Sequence, residues 1–227
     1  MVIGVLTRAA LGAAGVLLLL AGVASAQPIT RGFVNTFEPS TTFGWRTGAG
    51  GNPFTALGGP AGETDTYLRL NSDGSGTSGK LTVFDNLNWW GDFIAAGVTA
   101  VQVDLRNFDP QNRPLSIRLG FRVNSSQGAG GWCTQVFTLP ADGQWYTATF
   151  PLTQATMTAV NTSLTWTQMM SNVSEMRILH APGPAVTGVN INSSIGIDNV
   201  RAIPAPGAAA LLALGIPAIA RRQRRAG

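Results

Sequence analysis

An all-β fold, a two-sheet antiparallel β-sandwich of the jelly-roll kind, is predicted for residues 27–203 by three observations. The apolar residues of the interior repeat with a period of two, and no long window carries a helical period. Turn-forming clusters divide those runs at short intervals. No internal repeat is visible, which argues against a propeller or solenoid.

The strands follow in order. TYLRL (66–70) and KLTVFD (80–85) come first, separated by Asn71-Ser72-Asp73-Gly74-Ser75-Gly76. VTAVQVDLRNF then places Val101, Val103 and Leu105 on one face and Gln102, Asp104 and Arg106 on the other. LSIRLGFRV repeats the pattern, with Leu115, Ile117, Leu119, Phe121 and Val123 set against Ser116, Arg118 and Arg122. Such alternation belongs to sheets with one buried and one polar face. CTQVFTL, QWYTATFPL, EMRILH and IGIDNVRAI complete the set, with turns at Asp109-Pro110, Gly128 to Gly131, Ala141-Asp142-Gly143 and Pro182-Gly183-Pro184. Thr153 to Met170 reads as a long connection containing one short helix around Trp166 to Met170.

Composition narrows the function classes. The chain has 227 residues and a net charge of +4, but Arg8, Arg221, Arg222, Arg224 and Arg225 lie at its two ends. Between them ten basic residues face all 11 acidic ones. A nearly neutral body carries no phosphate-neutralising patch, so a nucleic-acid partner is not expected. The single cysteine, Cys133, excludes an intrachain disulfide, and the core must hold the domain alone.

The ends read as addresses. Arg8, the apolar run Ala9 to Val23 and the small residues Ala24 and Ala26 form a secretory signal (1–26) with cleavage after Ala26. At the other end, Pro204-Ala205-Pro206 precedes the apolar run Ala208 to Ala220 and the cluster Arg221, Arg222, Arg224 and Arg225. In order and spacing, residues 204–227 resemble the bacterial PEP-CTERM sorting signal, with Ala205 in place of the usual central Glu. The resemblance implies an apolar transmembrane helix held transiently in the inner membrane. It also implies export machinery and an exosortase-like sorting protease as partners, and a final place at the cell surface or in an extracellular polysaccharide matrix.

A second resemblance spans most of the interior. FEPSTTFGW (37–45), the VQVDLRN strand, QWYTATFPL and the closing IGIDNVRA are similar to the galactose-binding-like jelly rolls that include many carbohydrate-binding modules. It implies a structural calcium ion held by Glu38 and Asp198, a pair of carboxylates suited to a hard cation.

Catalytic chemistry is thinly represented. The only histidine, His180, stands at a strand end without a triad pattern, no G-x-S-x-G elbow occurs, and one His with one Cys cannot furnish a zinc site. Binding chemistry is better supplied. Trp89, Trp90 and Trp132 lie in or beside predicted loops, where an indole can stack on a sugar ring. Gln102, Asp104, Arg106, Arg118 and Arg122 could line one groove beneath them. The expectation is a non-enzymatic, exported, polysaccharide-binding module. A structural surface protein making protein contacts is the alternative, and a glycoside hydrolase-like enzyme the third.

Overall fold

The computed structural model describes residues 28–48, 53–76, 79–123 and 130–205. Among the described residues twelve strands and one helix occur in this order: β1 (Val34–Asn35), β2 (Phe54–Gly59), β3 (Gly62–Asp73), β4 (Thr82–Asp85), β5 (Val98–Asn107), β6 (Leu115–Arg122), β7 (Gly131–Thr134), β8 (Phe137–Leu139), β9 (Trp145–Pro151), β10 (Met157–Val160), α1 (Trp166–Met170), β11 (Glu175–His180) and β12 (Asn192–Pro204). They form two sheets. The first runs β2-β3-β12-β5-β9 with β1 added to β12, and the second runs β10-β7-β6-β11-β4 with β8 added to β6. Every strand pairing is antiparallel. The two-sheet jelly-roll sandwich expected from the alternation is thus the observed fold.

The inward faces are those the period of two selects. Leu68, Leu70, Val101, Val103, Leu105, Phe150, Ile195 and Ile197 come from the first sheet, and Val83, Ile117, Leu119, Phe121, Met176 and Ile178 from the second. All belong to one buried cluster, so the polar alternates of each sheet point away from the other sheet.

Several elements depart from the sequence expectation. CTQVFTL is two strands rather than one. β7 pairs with β6 at Gly120–Phe121, and β8 pairs with the same strand five residues earlier, at Leu115–Ile117. The two registers on β6 are offset by one residue, as at a bulge, and the ladder is interrupted at Gln135 and Val136. The long connection contains β10, which pairs with β7 as an edge strand; its Thr-rich sequence and one apolar anchor, Met157, hide the alternation. The helix stands where expected, its start fixed by a capping box between Thr165 and Gln168.

The membrane expectation is corrected. No helix among the described residues is long and apolar enough to cross a membrane, and the one helix described has five residues. That finding corrects the transmembrane helix and the transient inner-membrane anchoring; the apolar run Ala208 to Ala220 from which they were drawn lies outside the described residues. Among the described residues nothing supports export machinery, a sorting protease or a surface location. Pro204 closes β12 opposite Val98, and the Ala205 N–H donates to the Gly97 carbonyl at 3.2 Å. Both residues thus belong to the end of the sandwich. Ala24, Ala26, Pro206, Arg221, Arg222, Arg224 and Arg225 lie outside the described residues.

Candidate functional site

The expected groove does not assemble. Gln102, Asp104 and Arg106 project from β5 in the first sheet, whereas Arg118 and Arg122 project from β6 in the second. Because both strands bury their apolar alternates in the shared core, these two sets face opposite sides of the molecule.

The tryptophans are not rim platforms either. Trp89 is fully buried and Trp132 nearly so, both within the core. Trp132 donates its Nε1–H to the Leu164 carbonyl at 2.9 Å. The cause at Trp89 is local: the buried Asp85 carboxylate accepts the N–H groups of Leu87, Asn88 and Trp89 at 2.8, 2.7 and 3.2 Å. That clamp coils the loop and turns Trp89 inward, where its Nε1–H donates to Asn35 Oδ1. Trp90 is half-buried, with its indole N–H on the Leu87 carbonyl.

On the outer face of the second sheet, the segment 181–189 folds back over part of the strands. Val186 packs on Gly120, where a Cβ would stand 3.2 Å from the Val186 Cα. Arg118 pins the segment from beneath, donating to the carbonyls of Ala181, Thr134 and Pro182 at 3.2, 2.8 and 3.2 Å. Buried and committed to backbone, Arg118 has a structural task. Beyond the covered part lies a row that sequence reading missed. Phe84 faces outward with the Arg46 and Arg177 guanidinium carbons 5.1 and 5.5 Å from its ring centroid. Glu175 beside it accepts from Arg177 Nε at 2.6 Å and lies 3.5 Å from Arg122 Nη1. The signal was present in KLTVFD: if Leu81 and Val83 are inward, Phe84 must be an aromatic on the solvent side.

The first sheet's outer face carries an acidic row. Asp198 stands opposite Asp104 across the β12–β5 ladder, just before a register shift where Asn199 adopts a positive φ of 48°. Asparagine tolerates that conformation, and the resulting bulge aims its side chain at both acids. Asn199 Nδ2 donates to Asp104 Oδ2 at 2.9 Å and to Asp198 Oδ2 at 3.2 Å, while Thr147 Oγ1 donates to Asp104 Oδ1 at 2.6 Å. Burial pushes the Asp198 carboxyl up to about 7, assisted by the charges of Asp65, Asp104 and Glu38 and opposed by the Asn199 N–H. Glu38 Oε1 accepts the Thr66 N–H at 2.6 Å. Among the described residues no three His, Cys, Asp or Glu side chains are grouped to hold a metal ion. The oxygen donors and uncompensated negative charge suit a hard cation, but Glu38 and Asp198 would need backbone or water oxygens to complete its shell. Gln102 donates to Thr149 Oγ1 at 3.2 Å on the same face.

The two nucleophile candidates are quiet. His180 Nδ1 accepts the Ser116 N–H at 3.0 Å, and burial lowers its pKa. Cys133 is buried, and burial raises its thiol pKa.

No protein-family model matches the sequence, and no curated protein matches it significantly. Solved structures do. The family 11 carbohydrate-binding module of the cellulosomal cellulase Lic26A-Cel5E of Clostridium thermocellum is 11% identical with a TM-score of 0.48, over 78% of this chain and 96% of that one. A non-crystalline cellulose-specific module, CBM28, is 13% identical with a TM-score of 0.46, over 78% and 98%. The CBM27-1 module of Caldicellulosiruptor saccharolyticus, solved with mannohexaose, is 12% identical with a TM-score of 0.44, over 78% and 100%. The likeness is one of fold alone, a two-sheet β-sandwich.

Proposed function

We propose that this protein is a non-catalytic carbohydrate-binding module whose contact surface is the outer face of the second sheet, around Phe84. The observation that carries the reading is the outward Phe84 ring with Arg46, Arg177 and Glu175 beside it. An aromatic face covers the C–H face of a pyranose, and flanking guanidinium and carboxylate groups bond its hydroxyls. The covering segment 181–189 would close one end of that surface, and Arg177 holds it there through the Val186 carbonyl and Thr187 Oγ1 at 3.0 and 3.1 Å.

Calorimetric titration of the full chain with mixed-linked β-glucan and with mannan tests this. Saturable binding to either, weakened about tenfold by Phe84→Ala in a protein with an unchanged melting temperature, supports it. No binding to a panel of neutral glycans removes it and leaves a sandwich that makes protein contacts.

A calcium ion at Glu38 and Asp198 belongs to the same proposal. It is supported by the unpaid negative charge around Asp198, which a bound cation would neutralise. Melting with calcium and with EDTA tests it: a calcium-dependent rise that Asp198→Asn abolishes is expected, and identical melts reject the ion.

A further inference from the structure

The outer face of the first sheet holds a second cluster that the Phe84 surface does not use. Across β3, β12, β5 and β9 the ladder aligns Arg69, Gly196, Arg106 and Trp145 in one row. Gly196 leaves a dip in that row. A Cβ there would meet Trp145 Cη2 at 2.9 Å, Phe108 Cε2 at 3.0 Å and Tyr67 Cε2 at 3.1 Å, so three rings converge on the glycine. Tyr67 is buried, with Trp145 edge-on at 5.2 Å and Phe108 stacked at 6.0 Å. Both guanidinium carbons lie against the same ring, Arg69 at 4.4 Å and Arg106 at 4.8 Å from the Phe108 centroid.

Two like charges held on one ring repel each other, and among the described residues neither guanidinium makes a salt bridge. Among the described residues the salt bridges are those of Arg113 with Asp109, and of Arg122 and Arg177 with Glu175. Asp104 is turned to Thr147 and Asn199, and Asp198 to Asn199. Arg69 Nε is oriented by Ser194 Oγ at 3.1 Å, itself bonded to Asn71 Oδ1 at 2.6 Å. Arg106 Nε is buried and has no hydrogen-bond partner. A buried donor left unmet is costly and rare.

We infer that Arg69 and Arg106, with Phe108 and Trp145 beside them, form a site for an anionic sugar, a carboxylate- or sulfate-bearing residue of an acidic polysaccharide. Guanidinium groups pair with planar carboxylate and with sulfate through charge-assisted hydrogen bonds. The half-buried Phe108 and Trp145 rings supply the apolar contact a sugar ring needs. One pair of charges in a nearly neutral body matches a polymer recognised one repeat at a time. A polyphosphate chain would instead require a basic track. The site goes beyond the Phe84 surface and stands on different residues and the opposite face.

The test titrates the full chain with polygalacturonate, with dextran sulfate, with neutral mixed-linked β-glucan and with single-stranded DNA, at low and at high salt. Polygalacturonate or dextran sulfate is expected to bind in a salt-sensitive way, and whichever binds identifies carboxylate or sulfate. Arg106→Gln should weaken that binding about tenfold and Arg69→Gln similarly, with β-glucan binding unchanged, while Phe84→Ala should show the reverse pattern. Arg106→Lys keeps the charge and loses the fork, so it should recover only part of the affinity in a protein that melts normally. The inference is overturned if neither acidic polymer binds, if both Arg variants bind them as the parent does, or if DNA binds more tightly and loses its affinity with the same substitutions. Loss of β-glucan binding alone would fail the Phe84 reading and leave this one standing.

Discussion

Trp89 Nε1 donates to Asn35 Oδ1 at 2.7 Å, and Trp45 Nε1 donates to the same oxygen at 3.0 Å, all three residues being buried. One amide oxygen from the short strand β1 thus satisfies two indoles that carry much of the core near the chain's start. Asn35→Ala leaves both indole donors unmet in an apolar setting. Each such group costs about 1–3 kcal/mol, so a drop of about 3 kcal/mol is expected, read as a lowered urea midpoint with an unchanged slope. The same substitution should leave glycan affinity at Phe84 unaltered in protein that remains folded.

Asp198 and Asp109 make opposed contributions to the pH dependence of stability. Asp198 has a folded-state pKa of about 7 against an ordinary 3.8. Between those values the folded state binds the extra proton, so this stabilising contribution is full below about pH 4 and lost as pH rises through 7. Asp109 behaves oppositely. Its hydrogen bonds and ion pair with Arg113 hold its carboxyl far below the ordinary range, and its contribution is present above about pH 4 and lost as pH falls further. In EDTA, Asp198 should contribute a decline in stability from pH 4 to 7, set against the rise toward pH 6.5 from His180, whose buried imidazole resists protonation. Asp198→Asn should remove the declining part in chemical denaturation at a series of pH values. A decline of the same slope in Asp198→Asn would assign it to another group.

Arg118 holds 181–189 against the second sheet, donating to the Ala181 and Pro182 carbonyls of the segment and to the Thr134 carbonyl of β7. Arg118→Met keeps most of the side chain's volume but removes every one of those bonds. A loss of about 2–3 kcal/mol is expected, since hydrogen bonds from a charged donor are each worth about 1.5–3 kcal/mol and the acceptors can partly rehydrate. Limited proteolysis should then cut first within 181–189, a segment that should resist cleavage in the parent.

Gly196→Ala would push a methyl group to 2.9–3.1 Å from Trp145, Phe108 and Tyr67, well inside van der Waals contact. Overpacking of this kind costs about 1–3 kcal/mol. Because the rings that must move are those flanking Arg69 and Arg106, the variant should also lose affinity for acidic polymers beyond any loss of stability. A melt together with a polygalacturonate titration separates the two effects.

The strands were legible where alternation is regular. VQVDLRN and LSIRLGFRV each stated which residues face inward, because a strand's side chains alternate whatever the partner. The jelly-roll class, the short helix at Trp166 and the outward position of Asp104, Arg106 and Arg122 followed. Phe84 and Phe108 were also assignable as outward or edge aromatics, but an aromatic in an apolar run looks like core until the neighbours that bury it are known. Trp89 shows the converse: its loop position suggested exposure, and the Asp85 clamp decided otherwise.

What the sequence by itself determined was therefore local: which segments extend, where they turn, and which face of each strand is apolar. The tertiary structure alone decided which strands share a sheet. β5 lies between β12 and β9, and β6 between β11 and β7, so polar faces that read as one groove point to opposite sides. Strand pairing is chosen by contacts between residues far apart in the chain, through register, bulge and core packing, and alternation within one strand carries no information about its neighbour. The juxtaposition of Arg69 with Arg106 across Gly196 is of that kind, and so is the meeting of Asp104 with Asp198.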